Sequence, residues 1–267
     1  MRNEIKIVFS DVDGTLLNSE HRITPRTLGA VKKLGEKGIP FVVVSARSPS
    51  GIYTVTRECG LSCPIAAYSG ALILSEKGEV LYHNGMKKSE AQSVLDYIAE
   101  KGFDLTPCIY SYDEWIVPDK SDPRVIREES IVKASAREGR VSDFAEDEVS
   151  KLLCICDLAQ TPEIERGLRE NFPELSIVKS CANQIEVIRK GVSKAGVVKE
   201  LCAKYGIPLS EAAAFGDSYN DAEMLETAGK GVLMGNAPSD LKERIPCHTA
   251  DNDSDGIAVY LEKTGII

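Results

Sequence analysis

The sequence predicts an α/β fold, a Rossmann-like parallel sheet flanked by helices, carrying an inserted α+β segment. Two observations lead there. Over the first eighty residues short apolar runs alternate with helical stretches, the pattern of successive βαβ units. That alternation gives way near residue 84 to a mixed set of helices and strands and resumes near residue 191. The 267-residue chain therefore divides into a core of 1–83 with 191–267 and an inserted domain of 84–190, and its length favours two domains over one.

In order along the chain, residues 5–10 read as a buried strand, 24–37 as a helix, 40–45 as a strand, 49–59 as a helix and 65–68 as a strand. Residues 71–74 and 79–82 bracket Glu76, Lys77 and Gly78, turn-formers suited to a hairpin. Within the insert, SEAQSVLDYIAEKG reads as a helix and DLTPCIYSYDEWIV as strand. The acidic run DFAEDEVSK reads as solvated surface or a helix start. The core resumes with a helix at Lys194, whose Val197, Val198 and Leu201 suit a face packed on the sheet. Two linkers, near 83–87 and 188–192, join the parts.

The chemistry-bearing residues gather at predicted strand ends, where an open α/β sheet places its site. Asp11 and Asp13 follow the first strand, and extended backbone across Val12 would put both carboxylates on one side. A plain Asp-Gly turn at Asp13–Gly14 is the alternative. A second apolar run ends in Gly216, Asp217, Asn220 and Asp221, just before a helix. Asp217 could simply cap that helix, but capping needs one acid and three polar groups are present. Carboxylates from two strand ends suit a hard cation such as Mg²⁺. Ser45 ends a third strand, and Lys194 opens a helix after Gly191, Val192 and Ser193. A hydroxyl, backbone amides and an ammonium are what a phosphoryl group requires. Taken singly, Ser45 is equally a helix cap and Lys194 a surface charge.

In this order the motifs resemble those of the haloacid dehalogenase superfamily, specifically its Cof-type phosphatases with an inserted C2B-type cap. The first motif matches Asp11, Asp13, Gly14 and Thr15, the second Ser45 with Arg47, the third Lys194, and the fourth Gly216, Asp217, Asn220 and Asp221. Ala46 stands where glycine is usual, and Ser69 in YSGALI where asparagine is usual. The resemblance implies a phosphatase in which Asp11 is the nucleophile and forms an aspartyl phosphate. Asp13 then protonates the leaving alkoxide and later deprotonates water, for which neighbouring carboxylates and exclusion of water are expected to favour its protonated form. Lys194 supplies positive charge. Mg²⁺ is held by Asp11, Asp217, Asp221 and the backbone carbonyl of Asp13; Ser45, Ala46, Arg47 and Asn220 contact the substrate, with Glu186 in the cap reading its hydroxyls. Aspartate at position 13 favours a phosphatase or phosphomutase over the ATPase-type members, which carry threonine there. A catalytically silent metabolite-binding regulator is the rival from another class, and the complete catalytic set counts against it.

Composition sets the remaining bounds. A formal net charge of −9 argues against nucleic-acid binding, for which clustered basic surface would be expected. The absence of a long apolar run predicts no membrane helix and a cytoplasmic protein. The eight cysteines form no CxxC pair and read as reduced packing residues, with Cys154 and Cys156 alternating as in a buried strand. The expected partner is a small phosphorylated metabolite, bound by a monomer or small homo-oligomer. Tyr110, Tyr112 and Trp115 could stack on a substrate ring, or pack in the core as strand aromatics commonly do.

Overall fold

A computed structural model describes residues 4–267. The chain forms two compact units, one of residues up to Arg47 with Ile52–Leu81 and Ser193–Ile267, the other of Ser48–Gly51 with Tyr82–Val192.

The first unit is built on a seven-stranded sheet in the order Lys230–Leu233, Ala212–Gly216, Ile7–Ser10, Phe41–Val44, Ile65–Ala67, Leu72–Leu74 and Val80–His83, of which Tyr82 and His83 already belong to the second unit. The first five are parallel and Leu72–Leu74 runs antiparallel to Ile65–Ala67. Every residue of the Ile7–Ser10, Phe41–Val44 and Ala212–Gly216 strands is buried. Parallel strands covered by helices on both faces have no solvent side, which is why these stretches read as continuous apolar runs. The Ile7–Ser10 strand lies between Phe41–Val44, the next in sequence, and Ala212–Gly216, which enters two hundred residues later. The order reverses there, so the carboxyl end of Ile7–Ser10 is the sheet's switch point, where a crevice opens.

Local chemistry sets the flanking helices. Thr24 caps Pro25–Glu36 by accepting from Thr27 N, with proline in the first turn. Ser193 caps Lys194–Tyr205 by accepting from Gly196 N at 3.1 Å, and Gly206 ends it in the left-handed region. Val197, Val198 and Leu201 of that helix are buried. Among the described residues, no helix is long and apolar enough to cross a membrane.

The second unit carries a six-stranded sheet in the order Leu175–Cys181, Gln184–Arg189, Lys151–Cys156, Leu105–Ser111, Glu114–Val117 and Arg137–Glu138, antiparallel except for its last pair. Helices Lys88–Lys101 and Thr161–Asn171 pack on one face, where Ile109, Leu152, Cys154, Ile185 and Val187 join Val94, Ile98, Ile164 and Leu168 in a buried cluster. Cys154 and Cys156 face this cluster as free thiols, and all eight cysteines are unpaired. Burial pushes the Cys156 thiol up to about 12, so it packs as an inert small hydrophobe. The acidic run 143–151 starts no helix. It leaves a single turn at Val141–Asp143, and Glu148–Val149 then pairs with Met86–Lys87. Tyr110 and Trp115 are buried with their rings stacked 5.5 Å apart, packing against each other.

Candidate active site

The turn leaving the Ile7–Ser10 strand carries Asp11 and Asp13 into different surroundings. Asp11 is buried, and its Oδ1 accepts from Lys194 Nζ at 2.7 Å. The same ammonium donates to Asp221 Oδ1 at 2.6 Å. Lys194 is the first residue of its helix and only 3% exposed, so it brings a cation to the positive end of the helix dipole, inside the protein. Two carboxylates are what make that placement tolerable. Burial alone would push the Lys194 pKa down; the attraction of Asp11 and Asp221 reverses this, and the net shift is upward. For Asp11 burial prevails over the attraction of Lys194, and with repulsion from Asp221 its pKa rises to about 7.

Asp217 joins the pair from the end of the Ala212–Gly216 strand. Its Oδ1 accepts from Thr15 Oγ1 at 2.8 Å, and a Cβ built on Gly14 would meet its Oδ2 at 2.4 Å. Gly14, at φ 75°, is therefore required twice over, for its backbone conformation and for the carboxylate lying against it. Burial pushes the Asp217 pKa up, the Thr15 hydrogen bond opposes this, and Asp221 adds repulsion. Asp11, Asp217 and Asp221 each offer one carboxylate oxygen within 4.8 Å of the others. Three carboxylates facing one ammonium form a hard, oxygen-only donor set short of positive charge, which fits a divalent ion of the Mg²⁺ type.

Asp221 differs from the other two. Its Oδ2 accepts from Asp217 N at 3.1 Å and Ser218 N at 3.0 Å, while Lys194 holds Oδ1. The capping acid of this loop is thus Asp221, which leaves the Asp217 side chain to the cluster. Gly216 has a corresponding duty, since a Cβ there would lie 2.4 Å from Asp221 Cβ. Close approach, more than turning, is what this glycine permits. Asn220 is exposed, with Oδ1 accepting from Ser218 Oγ at 2.5 Å.

Asp13 lies near enough to Asp217 to repel it, but it is not shut off from water. Its side chain is 49% exposed and meets a guanidinium: Arg47 Nε donates to Oδ2 at 2.9 Å and an Arg47 terminal nitrogen to Oδ1 at 2.5 Å. Ser45 is buried and accepts from Arg47 N at 3.2 Å. It does not cap the following helix, where Ser48 Oγ accepts from Gly51 N. Ala46 lies half-buried between them. Ser69 N donates to Ser45 O, and Tyr68 N to Arg47 O, from a turn in which Tyr68 and Ser69 have φ of 52° and 58°. Asparagine occupies the left-handed region more readily than serine, which accounts physically for the residue usual at position 69.

Glu186 belongs to the second unit, half-buried in its Gln184–Arg189 strand with Oε1 3.2 Å from Lys151 Nζ. One residue escaped the sequence reading. Asn236 Nδ2 donates to Gly14 O at 2.8 Å and reaches Asp217 Oδ2 at 3.4 Å, tying the fourth loop to the first. Its visible signal is a Gly-Asn pair directly after an apolar strand.

Fold and site together define a class: open α/β proteins whose parallel sheet gathers aspartates and a buried lysine at its switch point. The chain belongs to the haloacid dehalogenase-like hydrolases, whose profile matches residues 8–261. It is 38% identical over 258 residues to a Haemophilus influenzae protein provisionally named a phosphatase, covering 97% of each chain. A haloacid dehalogenase-like hydrolase from Bacteroides thetaiotaomicron superposes with a TM-score of 0.87 at 28% identity, over 98% of this chain and all of the other. The subclass IIB sugar phosphatase BT4131 superposes with a TM-score of 0.78 at 26% identity, again over 98% of this chain and all of the other.

Proposed function

We propose that this protein is a Mg²⁺-dependent phosphatase hydrolysing small phosphorylated metabolites of the sugar-phosphate kind through an aspartyl phosphate on Asp11. The observation that carries the reading is a buried carboxylate at the switch point, one oxygen fixed by Lys194 at 2.7 Å, with Asp217 beside it. The sugar-phosphate class is supported by the likeness to a sugar phosphatase over nearly the whole chain. We read residues 84–190 as a cap and Glu186 as its candidate for substrate hydroxyls. Free thiols throughout suit a cytoplasmic setting.

A phosphate dianion approaching Asp11 meets like charge, and each unit pair at about 4 Å costs roughly 4 kcal/mol at an effective dielectric near 20. Lys194 offsets part of this because its ammonium already sits against the nucleophile. Asp11, Asp217 and the Asp13 carbonyl would hold the metal, with Asp221 of the same cluster fixing Lys194 and the Asp217 loop. A divalent ion held there would supply further positive charge against that of the phosphate. Asp11 then attacks phosphorus, the ester bond breaks, and the leaving oxygen takes a proton from Asp13. Water subsequently displaces Asp11 and Asp13 receives its proton. Ser45 and the amides beside it are the candidate cradle for the transferring phosphoryl group.

Asp11→Asn removes the attacking oxygen with little change of shape. Release of inorganic phosphate from a panel of sugar phosphates should fall by about a thousandfold or more, with the folded spectrum kept. Turnover within tenfold of the unaltered protein would refute the nucleophile assignment.

A further inference from the structure

Building on that reading, we propose that Arg47 is a positioning residue for Asp13, aiming its carboxylate at the water that opens the aspartyl phosphate. The geometry is a fork: two guanidinium nitrogens donate to the two Asp13 oxygens, at 2.9 and 2.5 Å. Such paired donation fixes the plane of a carboxylate as well as its position.

The base of the fork is itself anchored. Arg47 N donates to Ser45 Oγ, and Arg47 O accepts from Tyr68 N. Tyr68 and Ser69 keep left-handed conformations that cost energy in non-glycine residues, and the turn they make directs amides at Ser45 and Arg47. Arg47 thereby transfers the rigidity of two buried strand ends to a half-exposed carboxylate that packing alone would leave free to rotate.

In the step concerned, a water oxygen bonds to phosphorus as the bond between phosphorus and the Asp11 oxygen breaks. The electron pair returns to Asp11 and the water proton passes to Asp13. Inorganic phosphate, an Asp11 carboxylate and a protonated Asp13 result, and that proton serves the next leaving oxygen. An Arg47 that aims Asp13 matters most to this half of the cycle when the leaving group is good enough to depart without an acid.

Rapid mixing of 4-nitrophenyl phosphate with the full-length protein and Mg²⁺ tests this. Arg47→Met should give a burst approaching one nitrophenolate per protein, followed by turnover lowered about tenfold to a hundredfold, with KM falling in step. Acid quench and mass analysis should find the phosphoryl group on Asp11. Arg47→Lys keeps the charge but loses the fork, and should show a smaller burst in the same direction; it also serves if the methionine variant folds poorly. A raised KM with unchanged kcat and no burst would make Arg47 a phosphate ligand and overturn the proposal, as would unaltered kinetics. Failure of the unaltered protein to form phosphorylated Asp11 would instead sink the underlying mechanism.

Discussion

Asp11 and Asp13 leave the same turn two residues apart, each paired with a cation, and the two pairs behave as opposites. Asp11 and Lys194 have side chains 8% and 2% exposed; Asp13 and Arg47 have 49% and 33%. The buried pair has lost its water, so its attraction is little screened by solvent, and removing the cation strands the carboxylates around it. The exposed pair is solvated, and its attraction is mostly screened. One pair concentrates charge where phosphorus would arrive, and the other orients a carboxylate. Contact distance alone, 2.7 Å against 2.5 Å, would have ranked them the other way.

The strongest way to break this comparison is to delete the cation from each pair. Lys194→Met leaves Asp11 and Asp221 buried without a counter-charge, and should cost about 3–5 kcal/mol in urea unfolding as well as turnover. Arg47→Met should cost at most about 1 kcal/mol. Equal losses would mean that burial does not separate the pairs.

A second experiment sharpens the electrostatic half. Burial holds the Asp11 pKa near 7 in the metal-free protein, so below that pH the folded state keeps a proton there. A divalent cation binds the ionised form and must expel it. Calorimetric titration with Mg²⁺ between pH 6 and 7 should therefore show proton release and an affinity that rises with pH, both levelling off well above pH 7. The sign is fixed: a site whose carboxylates were already ionised would show no release across this range. Asp11→Asn should remove most of the dependence.

The sequence reading carries further for backbone than for partners. The strands ending at Ser10 and Val44 and the helices from Pro25 and Lys194 were legible because burial on both faces, or on one helical face, imprints a local pattern. The strand ends with their acids were legible because a parallel sheet places its chemistry there. What stayed hidden is contact across long sequence separations. Nothing local shows that Asp221 serves both Lys194 and two amides, or that Asn236 ties Gly14 to Asp217. Asp13 was expected in a setting closed to water, yet it is half exposed and pairs with Arg47, a contact across thirty-four residues that no local pattern shows. In the acidic run 143–151 the solvated reading holds for residues 143 and 145–147, and the helix start does not. Composition reported solvent exposure but not the pairing of Glu148–Val149 with a strand sixty residues earlier.

The smallest effect probes the anchor beneath the exposed pair. Ser69 adopts φ 58° while its amide holds Ser45 O, so the backbone there carries strain that asparagine would reduce. Ser69→Asn should stabilise the protein by a few tenths to about 1 kcal/mol, raising the melting temperature by roughly 2 °C. Because that turn also holds Arg47 O through Tyr68 N, the gain should come without loss of phosphate release. A destabilised variant would show that the serine side chain has a packing role outweighing its conformational cost, and that the turn fixing Arg47 is held by contacts more than by backbone preference.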